Sequence, residues 1–82
     1  MEVVHLGVSY SKLRELLIKY NIKIYEMQQH TKLSNGLLAK INKNEYIQLD
    51  KLELICEYIE KRIEEETGEK VFLDFSDIME RV

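Results

Sequence analysis

Residues 24–41 read IYEMQQHTKLSNGLLAKI, and the fold turns on how that stretch breaks. Ile24 to His30 allows a short helix whose inward anchor is Met27. Thr31-Lys32-Leu33 then interrupts the pattern. Ser34 is a residue type that accepts a hydrogen bond from the first turn of a following helix. In that helix Leu37, Leu38 and Ile41 fall to one side, while Asn35, Ala39, Lys40 and Lys43 lie round the other. Leu33 is placed to plug the turn between the two helices and fix their crossing angle. Ser34, Asn35 and Gly36 are all short, and Lys40 lies on nearly the same face as Gly36. A helix built this way is apolar inside and has small polar groups at its outward N-terminal end.

The flanks extend the same reading. Ser9 or Ser11 is expected to cap a preceding helix, in which Leu13, Leu16, Leu17 and Tyr20 recur at spacings of three and four and which ends near Tyr20-Asn21. Ile22 and Ile24 flank the break after it. On the C-terminal side Asn42 to Glu45 is a polar link. A long helix then starts near Leu49, with a stripe of Leu49, Leu52, Ile55, Cys56, Ile59 and Ile63. Its other face carries Glu53, Glu57, Glu60, Glu64 and Glu65, and Gly68 is a stop signal. Leu33, Leu38, Ile41, Leu52, Ile55 and Ile59 share an inward phase and are expected to form one core. Glu2–Val8 and Val71–Phe75 carry the β-branched and aromatic residues of short strands and are expected to pair. Ser76 is expected to cap a last helical turn from Asp77 to Arg81.

Composition narrows the class. The chain of 82 residues has no proline and three glycines, too few turn formers for an all-β domain of this size. One domain is expected over residues 1–82, with a core at 9–60 and an extension at 61–82. With Cys56 as the sole cysteine, no intrachain disulfide can form. No apolar run approaches the roughly 18–20 residues that span a membrane, and Met1-Glu2-Val3-Val4-His5 lacks the basic start of a signal peptide. The expected location is the cytoplasm.

The net charge of −3 conceals a division. Residues 1–46 hold seven basic and four acidic groups, a net of +3, whereas residues 47–82 hold five and eleven, a net of −6. The first half can approach phosphate; the second would be repelled unless it faces away.

Two short helices, a tight turn and a third helix with an apolar inner face make a helix-turn-helix pattern. The stretches LRELLIKYNIKIYEM, TKLSNGLLAKI and LDKLELICEYI resemble the lambda-repressor-like (Cro/cI-type, Xre) helix-turn-helix domain over residues 9–59. That resemblance implies a mainly α fold of four to five helices, here with a small two-stranded β element. It also implies that Ser34 opens the recognition helix, that Asn35, Gly36 and Lys40 face bases, and that Lys43 and Asn44 touch the DNA backbone. Lys23, Lys32 and Lys43 are expected phosphate contacts. The chain departs from the family pattern at four positions. Ile24 stands where a phosphate-binding Gln is frequent, and Gln28 where a small Ala lets the helices approach. Lys32 replaces the turn Gly, and Gln48 replaces a Ser or Thr cap.

The expected function is sequence-specific binding of double-stranded DNA by a dimeric transcriptional regulator. The proposed dimer interface spans Ile59 to Phe75 with the N-terminal strand. A second reading is a protein-interaction module on the same scaffold, such as an antitoxin or a phage- or mobile-element-derived inhibitor, whose acidic C-terminal region holds a basic partner. Catalysis is not expected, since there is no phosphate loop, triad or metalloprotease motif. The glutamates of the long helix have no paired nucleophile and read as a solvated face. Cys56 lies on the apolar stripe and reads as a small core residue rather than a redox thiol. His5, His30 and Cys56 have no zinc-site spacing, and no cofactor is expected. Tyr25 and Tyr46 are outward by pattern and could flank a binding surface.

Overall fold

The computed structural model describes residues 7–81. In chain order it has a strand β1 (Val8–Ser9), helices α1 (Ser11–Lys19), α2 (Ile24–Thr31), α3 (Asn35–Asn42) and α4 (Leu49–Thr67), a 3-10 turn at Phe75–Asp77, and a strand β2 (Glu80–Arg81). The helix bounds follow the local chemistry. Ser34 accepts a hydrogen bond from the Leu37 N–H at 3.1 Å and so starts α3. Gly68, at φ 77°, ends α4. α1 departs from expectation: its N-cap is Tyr10, with no side-chain cap, while Ser9 Oγ accepts from the Ser11 N–H one position further out.

One core joins all four helices. Leu13 and Leu17 of α1, Met27 of α2, Leu38 and Ile41 of α3, and Leu52, Ile55, Ile59 and Ile63 of α4 are all buried in it. Leu33 closes the turn between α2 and α3. The six residues expected to share an interior therefore do so. The His30 ring stacks on that of Tyr58, with centroids 5.5 Å apart, and the Arg62–Glu26 ion pair spans 3.7 Å, so α2 is held to α4 at its surface as well as in its core.

Leu49 is the exception in the α4 stripe: it is 63% exposed. It is the first residue of the helix and lies ahead of the turn that packs, where phase alone does not guarantee cover.

The small antiparallel sheet exists, but its second strand lies elsewhere. Val8 pairs with Arg81 and Ser9 with Glu80. Most of the expected first strand, Glu2 to Leu6, lies outside the described residues. Residues 71–75 are not a strand. Val71, Leu73 and Phe75 are half-buried against the core while Phe72 is 94% exposed. Their alternation comes from an extended strip laid along α4. The Leu73 N–H donates to the Glu60 carboxylate at 2.7 Å, so a helix side chain replaces a strand partner. Glu60 is thereby half-buried, unlike the outer glutamates. After the strip, Asp74 and Asp77 form a reciprocal capping box around the 3-10 turn, in place of a Ser76 cap. The following residue, Ile78, is fully buried.

This strip also alters the argument for an interface between copies. Ile59 and Ile63 are buried within one chain, covered in part by its own tail, and supply no apolar surface for a partner.

α1, α2 and α3 are each followed by a non-glycine residue at positive φ: Asn21 at 53°, Lys32 at 58° and Asn44 at 57°. For lysine the left-handed region costs about 1–2 kcal/mol, and unlike asparagine it gains no local side-chain bond there. Lys32→Gly is therefore expected to stabilise the fold by about 0.5–1 kcal/mol after the larger entropy loss of glycine. Thermal melting checks it, and a fall in Tm contradicts it.

Candidate nucleic-acid interface

α2, the left-handed residue Lys32 and the plug Leu33 present the N-terminal half of α3 outward. Ser34, Gly36 and Lys40 line one shallow groove of about 330 Å³ together with Leu37, Ile47 and Gln48. Spacing in the sequence placed Lys40 on nearly the same face as Gly36; it gave no sign of Ile47 and Gln48, which come from the link into α4. Gly36 is open: a Cβ there would meet only Ser34 Oγ, at 3.9 Å. Ser34 spends its hydroxyl oxygen on the helix cap, so its part in the site is to fix where α3 begins.

Asn35 is exposed, and its carbonyl oxygen accepts a hydrogen bond from Gln28 Nε2 at 2.6 Å. The residue that departs from the family's small alanine thus braces the outward amide of the next helix. Its signal in sequence was only that departure. With one lone pair of its oxygen engaged, Asn35 keeps its NH₂ group as donor and the second lone pair as acceptor.

The lysines are distributed around this face. Lys23 caps α2 and lies 6.0 Å above the Tyr25 ring. Lys32 sits in the turn, Lys40 on the last turn of α3, and Lys43 at its C-cap. All four are exposed. Among the described residues, the ion pairs are Lys12–Glu80 and Arg62–Glu26, neither of which takes up these four lysines. The stretch from Met27 to Asn44 contains no acidic residue, whereas the outer face of α4 carries Glu53, Glu57, Glu64 and Glu65. Positive potential therefore accompanies α3 and negative potential α4.

Asn44, beyond the C-cap of α3, is exposed as well and is tied to the start of α1. Its Oδ1 accepts from the Tyr10 backbone N–H at 3.1 Å and from Arg14 at 3.0 Å. Tyr25 and Tyr46 are both exposed.

Cys56 is buried and its thiol is pushed up to about 11, chiefly by burial, with Glu60, Asp77 and Asp74 adding to the effect. Among the described residues no group of three or more His, Cys, Asp or Glu side chains is placed to hold a metal ion. No helix of the described chain is long and apolar enough to cross a membrane.

Comparison with known proteins agrees with this geometry. The model of the Cro/C1-type HTH DNA-binding domain matches residues 12–65. Among solved structures, the crystal structure of the transcriptional regulator VanUg is similar over 100% of this chain and 93% of its own, with 33% identity and a TM-score of 0.77. No curated protein matches.

Proposed function

The chain belongs to the Cro/C1-type helix-turn-helix DNA-binding domain family, and from that premise we propose that it is a transcriptional regulator reading double-stranded DNA by sequence, with α3 in the major groove. The observation that carries the reading is the coincidence of three properties on one face. Short residues open α3, Gly36 and Lys40 line the same groove, and no carboxylate intervenes between Met27 and Asn44. Asn35, braced by Gln28, offers the amide geometry that pairs with adenine, and Lys40 reaches for guanine. Ser34 and Gly36 keep the helix start close to the base edges. Lys23, Lys32 and Lys43 take phosphates, which position the domain without reading sequence.

A single domain of this size makes few base contacts. Two copies on half-sites about 34 Å apart supply the missing specificity, and symmetry then turns the acidic faces of α4 away from the duplex.

The test is binding to selected and random duplexes across a range of salt concentrations. Phosphate contacts from three lysines correspond to a fall in log K of about 3 per decade of salt for each bound copy. Lys43→Ala is expected to weaken every duplex alike and to flatten that slope by about one unit. Absence of any shift with DNA, together with tight retention of a basic protein, would instead favour the protein-interaction reading through the acidic C-terminal region.

A further inference from the structure

The C-terminal end of α3 is clamped by residues that precede the helix-turn-helix. Asn44 follows α3 in the left-handed conformation, its N–H bonded to the Ile41 carbonyl at 3.1 Å. Its Oδ1 accepts two bonds from the start of α1, from the Tyr10 N–H and from Arg14. Arg14 also donates to the Ile41 carbonyl at 3.2 Å, and the Tyr10 hydroxyl to the Glu45 carbonyl at 2.7 Å. Four hydrogen bonds thus join Tyr10 and Arg14 to Ile41 in the last turn of α3 and to Asn44 and Glu45 beyond it. Tyr10 is fully buried, so its ring has one position from which to make them.

The clamp continues into the terminal ribbon. Val8 and Ser9, just before Tyr10, are paired with Arg81 and Glu80. Lys12 donates to the Ser76 carbonyl at 3.1 Å and lies 3.9 Å from Glu80. A Cβ on Gly7 would come within 3.7 Å of the Asn44 carbonyl, so the ribbon passes directly over this residue. The ribbon and Tyr10 lie outside the stretch matched by the family model, residues 12–65.

We propose that Asn44 and Tyr10 are positioning residues for DNA reading: they couple the terminal ribbon to the C-terminal end of α3 and so set the angle at which Asn35 and Lys40 meet the bases. The inference rests on the DNA-reading function above. Its physical basis is leverage. α3 is a short helix held at its N-terminus by the Ser34 cap and the Leu33 plug and along its inner side by Leu38 and Ile41, so loosening the bonds at and beyond Ile41 becomes a tilt of its outward face. Base contacts depend on that angle; the long lysine side chains adapt to small changes in it.

Two variants of the full chain separate positioning from bulk stability. Asn44→Gly keeps the left-handed conformation and removes the acceptor; Tyr10→Phe keeps the ring and removes the hydroxyl. Both are expected to lose about tenfold in affinity for the selected duplex while changing less than about twofold on random duplex. Asn44→Asp, which retains the acceptor, is expected to keep the wild-type ratio of the two affinities. Equal losses on both duplexes, or an unchanged ratio in variants that merely melt lower, would overturn the proposal. Amide exchange of the DNA-free protein provides a readout that survives failure of the DNA reading. The N–H groups of Lys43, Asn44 and Glu45 are expected to exchange faster in both variants, with α4 unchanged. Unaltered protection there overturns the coupling whether or not the wild type binds DNA.

Discussion

Met27→Ala is expected to destabilise the protein by about 2–5 kcal/mol. Met27 is fully buried and is the one buried residue of α2, so its side chain carries that helix's attachment to the core. Truncation leaves a cavity between α2 and α4, and the His30–Tyr58 stack at the surface resists collapse into it. Domains of this length are stable by only about 4–12 kcal/mol in all. The loss should therefore lower Tm by about 8–40 °C, since each kcal/mol moves the midpoint by roughly 4–8 °C at this size. DNA binding should fall with it, because α2 and the turn present α3. A Tm within a few degrees of wild type would mean that α2 is held chiefly by its surface contacts.

The second large effect concerns readout. Asn35→Ala is expected to weaken the selected duplex by about 1–3 kcal/mol, roughly 5- to 150-fold, with little change on random DNA. The alanine removes the outward amide and also leaves Gln28 Nε2 without its partner at 2.6 Å. Gln28→Ala should therefore produce a smaller loss in the same direction, since Asn35 keeps its chemistry but loses its brace. Equal loss on all sequences would place Asn35 among the phosphate contacts instead.

The helices and their shared interior were legible in the sequence because burial there repeats at three- and four-residue steps. Leu13 and Leu17, Leu38 and Ile41, and Leu52 through Ile63 each show it. Serine at position 34 and glycine at 68 mark ends through local chemistry, so those bounds were readable too. The tail was not. Val71 to Phe75 alternates as a strand does, yet alternation reports only which side chains face something apolar, and here that surface is α4. Glu60 resembles its solvated neighbours by spacing and becomes a backbone acceptor only because the tail returns to it. Asn44 shows the same limit at the site. Spacing gave no sign of the two hydrogen bonds its oxygen accepts from Tyr10 and Arg14, thirty or more residues earlier. The Gln28–Asn35 bond joins two helices across the turn and depends on their crossing angle, which periodicity does not encode. Long-range hydrogen bonds of this kind complete the site on a frame that spacing alone predicts.

The proposed DNA reading requires α3 to face the duplex. Amide chemical shifts followed during titration with a duplex chosen by binding-site selection test this most directly. The largest changes are expected from Lys32 to Lys43 and at Ile47 and Gln48, with the Glu53–Glu65 face of α4 nearly unmoved. Changes concentrated on that acidic face, or none in α3 at saturating DNA, would contradict it.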